Sequence, residues 1–284
     1  MGAARWLLIG RGHLGTFLKA RFSVPSSLHW TGDLDELDEA AIRKLSPTAV
    51  VNTAGKTELS WCEANAAETF RCNAAAPLNL YRRIKTAAGE AIPFIHVSSG
   101  CVWDGPYRAD GKPFGPEDPP TPACFYSWTK AAGDAMLLRE AAGGKLAILR
   151  PRQVYSPLAA ERNTLSKLRR YPKLIDTPNS MTSAETIART VDKLTEPAGA
   201  AAFGRILCVY ERGTTTPFEV GMFLARAGLR AEPELIDKSA LDRTLKPKRV
   251  DTVLSDPFFE ALVQPPKVQD ELRRVINHFR EAQR

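Results

Sequence analysis

The fold class predicted for this chain is α/β, a doubly wound parallel sheet of Rossmann type with a smaller C-terminal lobe. Three observations predict it. Strand-like and helix-like segments alternate through the first half of the 284 residues. The strand segments are apolar throughout rather than alternating, as a parallel sheet covered on both faces requires. A glycine loop, Gly10-Arg11-Gly12-His13-Leu14-Gly15, stands between the first strand and the first helix.

Taken in order, Trp6 to Ile9 reads as a strand and His13 to Phe22 as a helix. Ser27 to Thr31 is expected to be a short second strand. Asp38-Glu39-Ala40-Ala41 begins a helix, with an aspartate suited to its cap and an acidic first turn. Thr48 to Asn52 is an apolar strand, and a long helix is expected within Cys62 to Ala87. Ile92 to Ser98 is another strand. Pro106 to Pro122 is rich in proline and glycine and reads as a loop. Ala123 to Ala142 is helical, and Leu146 to Leu149 returns to the sheet.

Beyond Pro151 the alternation weakens. Asn163–Arg170, Ala184–Leu194, Pro217–Ala227 and Asp270–Arg280 read as helices, and Ile206–Val209 and Pro233–Leu235 as strands. The expected division is a dinucleotide-binding domain over 1–156, to which 184–210 returns, and a smaller substrate lobe over 157–284.

Composition sets the outer limits. Hydrophobic content of 44% and charged content of 25% are ordinary globular values. No run of about 18 apolar residues suggests a membrane span. Met1-Gly2-Ala3-Ala4-Arg5-Trp6 opens like a myristoylation site but lacks Ser or Thr at position six. The short apolar run after it fits a buried strand better than a secretion signal. Five scattered cysteines (Cys62, Cys72, Cys101, Cys124, Cys208) without a CxxC pair point to reduced cytoplasmic thiols and no metal site. The net charge of +7 raises the question of nucleic acid. The basic residues are dispersed, however, and the denser stretches (Lys167 to Lys173, Lys246 to Arg249) suit a diphosphate-bearing small molecule at least as well.

The chemistry is concentrated in three places. In the loop, Gly10 makes the turn, Gly12 lets the backbone approach a diphosphate, and Gly15 lets helix pack on strand. The helix N-terminus then faces the phosphates. No carboxylate occupies the position about 20 residues on, where His29-Trp30-Thr31 stand, and Arg11 could meet a 2′-phosphate. NADPH is therefore expected over NADH. Tyr126-Ser127-Trp128-Thr129-Lys130 places phenol and ammonium on one helix face. A lysine cation there can lower the phenol's pKa, so that tyrosine trades a proton with a substrate oxygen. Ser99 at a strand end completes a set suited to redox chemistry at a carbonyl or alcohol. His13, His29 and His278 have no partners suggesting catalysis, and His96 reads as a core or cofactor-edge residue.

With these residues the chain resembles the extended short-chain dehydrogenase/reductases, closest to the dTDP-4-dehydrorhamnose reductase group, over nearly its whole length. Asp33-Leu34 is similar to the family's Asp-Leu/Ile pair beside the adenine. Val50-Val51-Asn52-Thr53-Ala54-Gly55-Lys56-Thr57 resembles the Val-Asn-Ala-Ala segment lining the cofactor, and Cys62-Glu63 with Phe70-Arg71-Cys72-Asn73 resembles positions on the next helix. His96-Val97-Ser98-Ser99 with Val102-Trp103-Asp104-Gly105 is similar to His-x-Ser-Thr-Asp-Tyr-Val-Phe-Asp-Gly. Pro106-Tyr107, Glu117-Asp118 and Pro119-Pro120 resemble the loop before the catalytic tyrosine. Lys246-Pro247-Lys248-Arg249 with Asp251-Thr252 is similar to the Arg-Pro-Arg…Leu-Asp-Thr segment of the substrate lobe.

The resemblance implies an NADPH-dependent reductase of a nucleotide-linked keto-sugar of the 4-keto-6-deoxyhexose type. Tyr126 would donate the proton, Ser99 would hold the carbonyl oxygen, and Lys130 would keep the phenol acidic and bond the nicotinamide ribose. It further implies cofactor contacts from Gly10, Arg11, Gly12, His13, Leu14, Gly15, Asp33, Leu34, Thr53, Ala54, Gly55 and Asn73. Lys56, Cys101, Gln153, Lys248 and Arg249 would face the substrate. Expected partners are the small molecule alone, without nucleic acid or membrane, with a homodimer allowed and a cytoplasmic location.

Departures from the family pattern matter as much. The glycine loop is one residue shorter than the usual GxxGxxG. Gly100-Cys101 lacks the Asp-Glu pair of the 4,6-dehydratases. Cys101 resembles in position the acid/base cysteine of GDP-fucose synthases, but their partner histidine is Leu158 here. Gln153 stands where rhamnose reductases have tryptophan. Two alternatives stay open. One is a 4-epimerase of the same fold. The other is a non-catalytic NADP-binding regulatory subunit, like the distantly similar methionine adenosyltransferase β subunit.

Overall fold

A computed structural model describes residues 5–282. The Met1–Ala4 part of the myristoylation-like opening lies outside the described residues. The chain runs β1 (Trp6–Ile9), α1 (His13–Arg21), β2 (His29–Trp30), α2 (Glu39–Leu45), β3 (Ala49–Asn52), α3 (Leu59–Ala64), α4 (Ala66–Phe70), a π-helical turn (Arg71–Ala75), α5 (Ala76–Ala88), β4 (Phe94–Val97), α6 (Phe125–Glu140) and β5 (Leu146–Pro151). It continues with β6 (Val154–Tyr155), α7 (Thr164–Arg170), β7 (Lys173–Leu174), β8 (Thr182–Ser183), α8 (Ala184–Thr195), β9 (Arg205–Val209), α9 (Pro217–Arg226), β10 (Glu234–Leu235), α10 (Lys238–Thr244), α11 (Pro257–Val263) and α12 (Val268–Glu281).

Six parallel strands form the main sheet in the order β2-β1-β3-β4-β5-β9. Strands β3, β4 and β5 are buried at every position, which explains their largely apolar sequence, broken only by buried Asn52, His96 and Arg150. Two hydrophobic layers cover the faces. One centres on Leu8, Val51, Ile95, Leu149 and Leu207 with Ile187 and Val191 of α8. The other joins Leu7, Val50, Phe94 and Ile148 to Leu80, Tyr81 and Leu137. Each such side chain contributes roughly 1.5–3 kcal/mol by leaving water. A third cluster, around Tyr155, Leu165, Leu224, Leu272 and Phe279, forms the core under α7, α9 and α12. Phe259 and Val263 of α11 belong to the first layer, beyond the 184–210 return expected from the sequence.

Side chains mark several helix starts. Asp38 accepts from the Ala41 amide at 2.7 Å, as its cap position predicts. Thr216 and Glu219 form a reciprocal capping box at α9.

Three expectations are corrected. Strand Ser27–Thr31 shrinks to His29–Trp30, because a 3₁₀ turn takes Ser26–Leu28. The long helix within Cys62–Ala87 is broken into α3, α4, the π turn and α5. Pro77 has no N–H for the Asn73 carbonyl four residues back, and the turn there widens. Helices α10 and α11 were not anticipated from the sequence. Their seven residues each are too few to show a periodic apolar face.

Candidate active site

The strand order reverses direction between β1 and β3, and ligands of such sheets lie outside the carboxyl ends of the strands there. Four predicted segments emerge at those ends: the glycine loop after β1, Thr53 after β3, Ser98-Ser99 after β4 and Gln153 after β5. A parallel sheet thus gathers residues up to 143 positions apart in sequence.

Each loop glycine meets a different constraint. A Cβ on Gly10, whose φ is +118°, would lie 2.4 Å from Thr53 Oγ1. One on Gly15 would lie 2.1 Å from the Gly10 carbonyl oxygen, so the start of α1 rests directly on the turn. At Gly12 nothing lies within 4 Å, and no side chain caps α1. An uncapped helix N-terminus with open space beside it fits a diphosphate. Thr53 hydroxyl donates to the Ile9 carbonyl at 2.8 Å, and His29 Nε2 lies 2.9 Å from the Gly10 carbonyl oxygen. His29 therefore secures the loop, a role its sequence position did not suggest.

Asp33 caps the 3₁₀ turn containing the buried Leu34 and pairs with Arg71 at 2.7 Å. That guanidinium also bonds Glu68 and Asp35. The Asp33 carboxyl is held down at about 2, chiefly by Arg71. Its charge is therefore largely spoken for. Arg11, exposed at the loop, makes no ion pair among the described residues.

Tyr126 and Lys130 lie on α6 and are almost wholly buried, at 7% and 4% exposure. Buried Arg150 of β5 holds α6 in register by donating to Asp134 at 2.8 Å, and its guanidinium lies 4.9 Å from the Trp103 ring centroid. Lys130 Nζ donates to the Val97 carbonyl at 3.3 Å, and burial lowers its pKa to about 8. The Tyr126 phenol is pushed up, first by burial and then by Cys101, while its hydrogen bond with Ser99 pulls the other way. The expected lowering by Lys130 is corrected here: desolvation dominates, and the phenol keeps its proton at neutral pH. Ser99 Oγ also accepts from the Cys101 amide at 3.1 Å.

Asn73, displayed by the π turn, ties this helix to the loop after β3. It donates to the Thr129 hydroxyl at 3.2 Å and the Lys56 carbonyl at 3.0 Å, and accepts from the Lys56 amide at 2.8 Å. A Cβ on Gly133 would meet the Asn73 carbonyl at 2.6 Å, so only glycine permits this approach. The Ala54 amide donates to Asn52 Oδ1 at 3.0 Å, fixing the same loop. A Cβ on Gly55 would lie 3.9 Å from Lys130 Nζ and 3.1 Å from Asn73 Oδ1. Asn73 thus acts on the framework of the site.

The substrate-side residues separate. Lys56 Nζ lies over the Trp61 ring at 4.7 Å. Lys248 is committed to Asp104 at 2.8 Å. Gln153 has φ +43°, a left-handed conformation that strains a side-chain-bearing residue. Half-buried Lys167 carries a depressed pKa, first from burial and then from Arg249 and Arg162. Lys167 and Arg249 fall in the two basic stretches noted in the sequence, whereas Arg162 was not anticipated there. Lys167 also acts on His13, whose pKa falls to about 4, mainly through burial. Cys101 is touched by Arg152 Nη1 at 2.9 Å. Neither Arg152 nor the pairing of His13 with Ser156 could be read from local sequence, since both depend on contacts between distant segments.

A family described as RmlD substrate binding domain matches residues 7–280. An Arabidopsis thaliana bifunctional dTDP-4-dehydrorhamnose 3,5-epimerase/dTDP-4-dehydrorhamnose reductase is 33% identical over 150 residues, 50% of this chain and 48% of that protein. A trifunctional UDP-glucose 4,6-dehydratase/UDP-4-keto-6-deoxy-D-glucose 3,5-epimerase/UDP-4-keto-L-rhamnose-reductase of the same plant is 37% identical over 153 residues, 50% of this chain and 22% of that protein. The matches thus span about half or less of these relatives' length. In fold, the chain is similar to the L780 UDP-rhamnose synthase of Acanthamoeba polyphaga mimivirus, with a TM-score of 0.83 at 19% identity over 98% of this chain and 100% of that one. It is likewise similar to the dTDP-4-dehydrorhamnose reductase of Bacillus anthracis str. Ames in complex with NADP, with a TM-score of 0.79 at 16% identity over 96% and 99%.

Proposed function

We propose that this chain, which belongs to the RmlD substrate binding domain family, is an NADPH-dependent reductase of a nucleotide-linked keto-sugar of the 4-keto-6-deoxyhexose type. The observation that carries the reading is the convergence of Ser99 at the end of β4 with a buried Tyr126 whose phenol burial keeps protonated, and buried Lys130 one helical turn on. A phenol that retains its proton is suited to give it to an alkoxide that develops during reduction.

NADPH would be held by the N-terminus of α1 and the open side of Gly12, with Arg11 toward its 2′-phosphate and Lys130 toward the nicotinamide ribose. When bound, it supplies the reducing equivalent. Ser99 would orient the substrate carbonyl oxygen, and Tyr126 would transfer its proton there. The Lys130 ammonium would stabilise the phenolate left behind. Arg249 and Arg162 bear electrostatically on half-buried Lys167, a concentration of positive charge that suits a polyanion such as the substrate's diphosphate. A cytoplasmic location and a homodimer belong to the same reading; no helix of the described residues is long and apolar enough to cross a membrane.

The test is NADPH oxidation against a panel of nucleotide-linked 4-keto-sugars, with Tyr126→Phe as control. The variant should lose roughly a hundredfold to ten-thousandfold in kcat. Equal rates for both proteins on every substrate would remove the assignment. A 4-epimerase would instead interconvert sugars without net loss of NADPH. A regulatory subunit would turn over nothing alone and form a stoichiometric complex with another enzyme.

A further inference from the structure

Arg152 is 4% exposed, and its guanidinium makes three contacts: Cys101 Sγ at 2.9 Å, Asn179 Oδ1 at 2.9 Å, and the Val250 carbonyl. Its Nε is buried without an acceptor. Among the described residues no carboxylate lies within ion-pair distance of it; Asp251 is reached only through the Asn179 carboxamide, which donates to it at 2.7 Å. A buried guanidinium without a counter-anion is costly, by several kcal/mol in general. The polarisable atom pressed against this one is the Cys101 sulfur, and half-buried Lys167 is a second cation acting on it.

The other four cysteines are placed differently. Burial raises the pKa of Cys62, Cys72, Cys124 and Cys208, to about 11 at Cys72, where Glu68 adds to the effect, and furthest at fully buried Cys208. Thiols so held are poor nucleophiles. Cys101 is only partly buried, its amide donates to Ser99 Oγ, and its sulfur acts electrostatically on the Tyr126 phenol.

We propose that Cys101 is a peroxide-reactive thiol, activated by the buried Arg152 guanidinium, and that its sulfenic acid is a modified state of this protein. In the step, the Cys101 sulfur attacks one oxygen of a hydroperoxide. A sulfur–oxygen bond forms as the oxygen–oxygen bond breaks. Sulfur is oxidised by two electrons and the peroxide is reduced; with hydrogen peroxide, the thiol proton leaves with the departing hydroxide as water. The Arg152 guanidinium supports the charge on sulfur during attack. The inference does not depend on the reductase reading, because the modification itself is what is measured.

The full chain, fully reduced, is treated with substoichiometric hydrogen peroxide, trapped with dimedone and mapped by peptide mass spectrometry. The adduct should appear at Cys101 ahead of the other four cysteines and vanish in Cys101→Ala. Arg152→Met, checked for folding by circular dichroism, should slow Cys101 labelling by about tenfold while leaving Cys72 unchanged. Dominant labelling at Cys72 or Cys124 would overturn the proposal, as would unchanged Cys101 labelling in a folded Arg152→Met. Should that variant not fold, the ranking of the five thiols in the native protein decides alone.

Discussion

His13 Nε2 lies 2.6 Å from the hydroxyl oxygen of Ser156, which joins the start of α1 to the segment leaving β6. Ser156 Oγ in turn accepts from the Leu158 amide at 3.1 Å. The imidazole is kept neutral by burial and by Lys167, with a pKa lowered from 6.5 to about 4. The unfolded chain therefore binds a proton here at a higher pH than the folded one. The resulting stability is full above about 6.5 and is lost as pH falls toward 4, amounting to roughly 3 kcal/mol. His13→Gln should flatten that part of the acid limb in urea melts between pH 7 and pH 4.5. Parallel curves for the two proteins would show that His13 is not the group responsible.

The glycines of the loop should fail in different ways. Gly15→Ala places a methyl 2.1 Å from a backbone oxygen and should lower the melting temperature by several degrees. Gly12→Ala meets no protein atom within 4 Å and should fold normally. It should nonetheless weaken NADPH binding, because its methyl enters the space left for the diphosphate. A Gly12→Ala protein with native stability and native NADPH affinity would argue against that placement.

Lys130 should limit activity at alkaline pH. Burial lowers its pKa to about 8, so the ammonium is lost from the free protein above that value. The expected result is a fall in kcat/KM above about pH 8, while Lys130→Met is slow at every pH. A flat profile from pH 7 to 9.5 would separate Lys130 from the reaction.

Arg11 should decide between cofactors. With Asp33 bound to Arg71, its carboxylate is engaged rather than free for a ribose 2′-hydroxyl, and the exposed Arg11 guanidinium favours a phosphate. Fluorescence titration should show tighter binding of NADPH than NADH, with Arg11→Ala narrowing the gap through NADPH alone. Tighter NADH binding by the unaltered protein would contradict this role.

Local rules explain how much was legible beforehand. The spacing of Gly10, Gly12 and Gly15 reports a turn, an approach and a packing contact within six residues. Tyr126 and Lys130 report one helix face. Strands β3, β4 and β5 are largely apolar because they are buried on both sides. The π turn at Arg71–Ala75 was missed because Pro77, interior to the expected helix, signals a break or kink without specifying its form.

The amino-acid sequence by itself determined the parallel sheet and the helix start at Asp38, and made Ser99, Tyr126 and Lys130 candidates, because each depends on periodicity or short spacing. Only the tertiary structure decided the electrical state of these groups. Burial keeps the Tyr126 phenol protonated, Arg71 occupies Asp33, and Asp104 occupies Lys248. It also set Arg152 against Cys101 and His13 against Ser156, pairs 51 and 143 residues apart. Desolvation and charge pairing depend on what surrounds an atom in space, and chain folding alone brings those surroundings together.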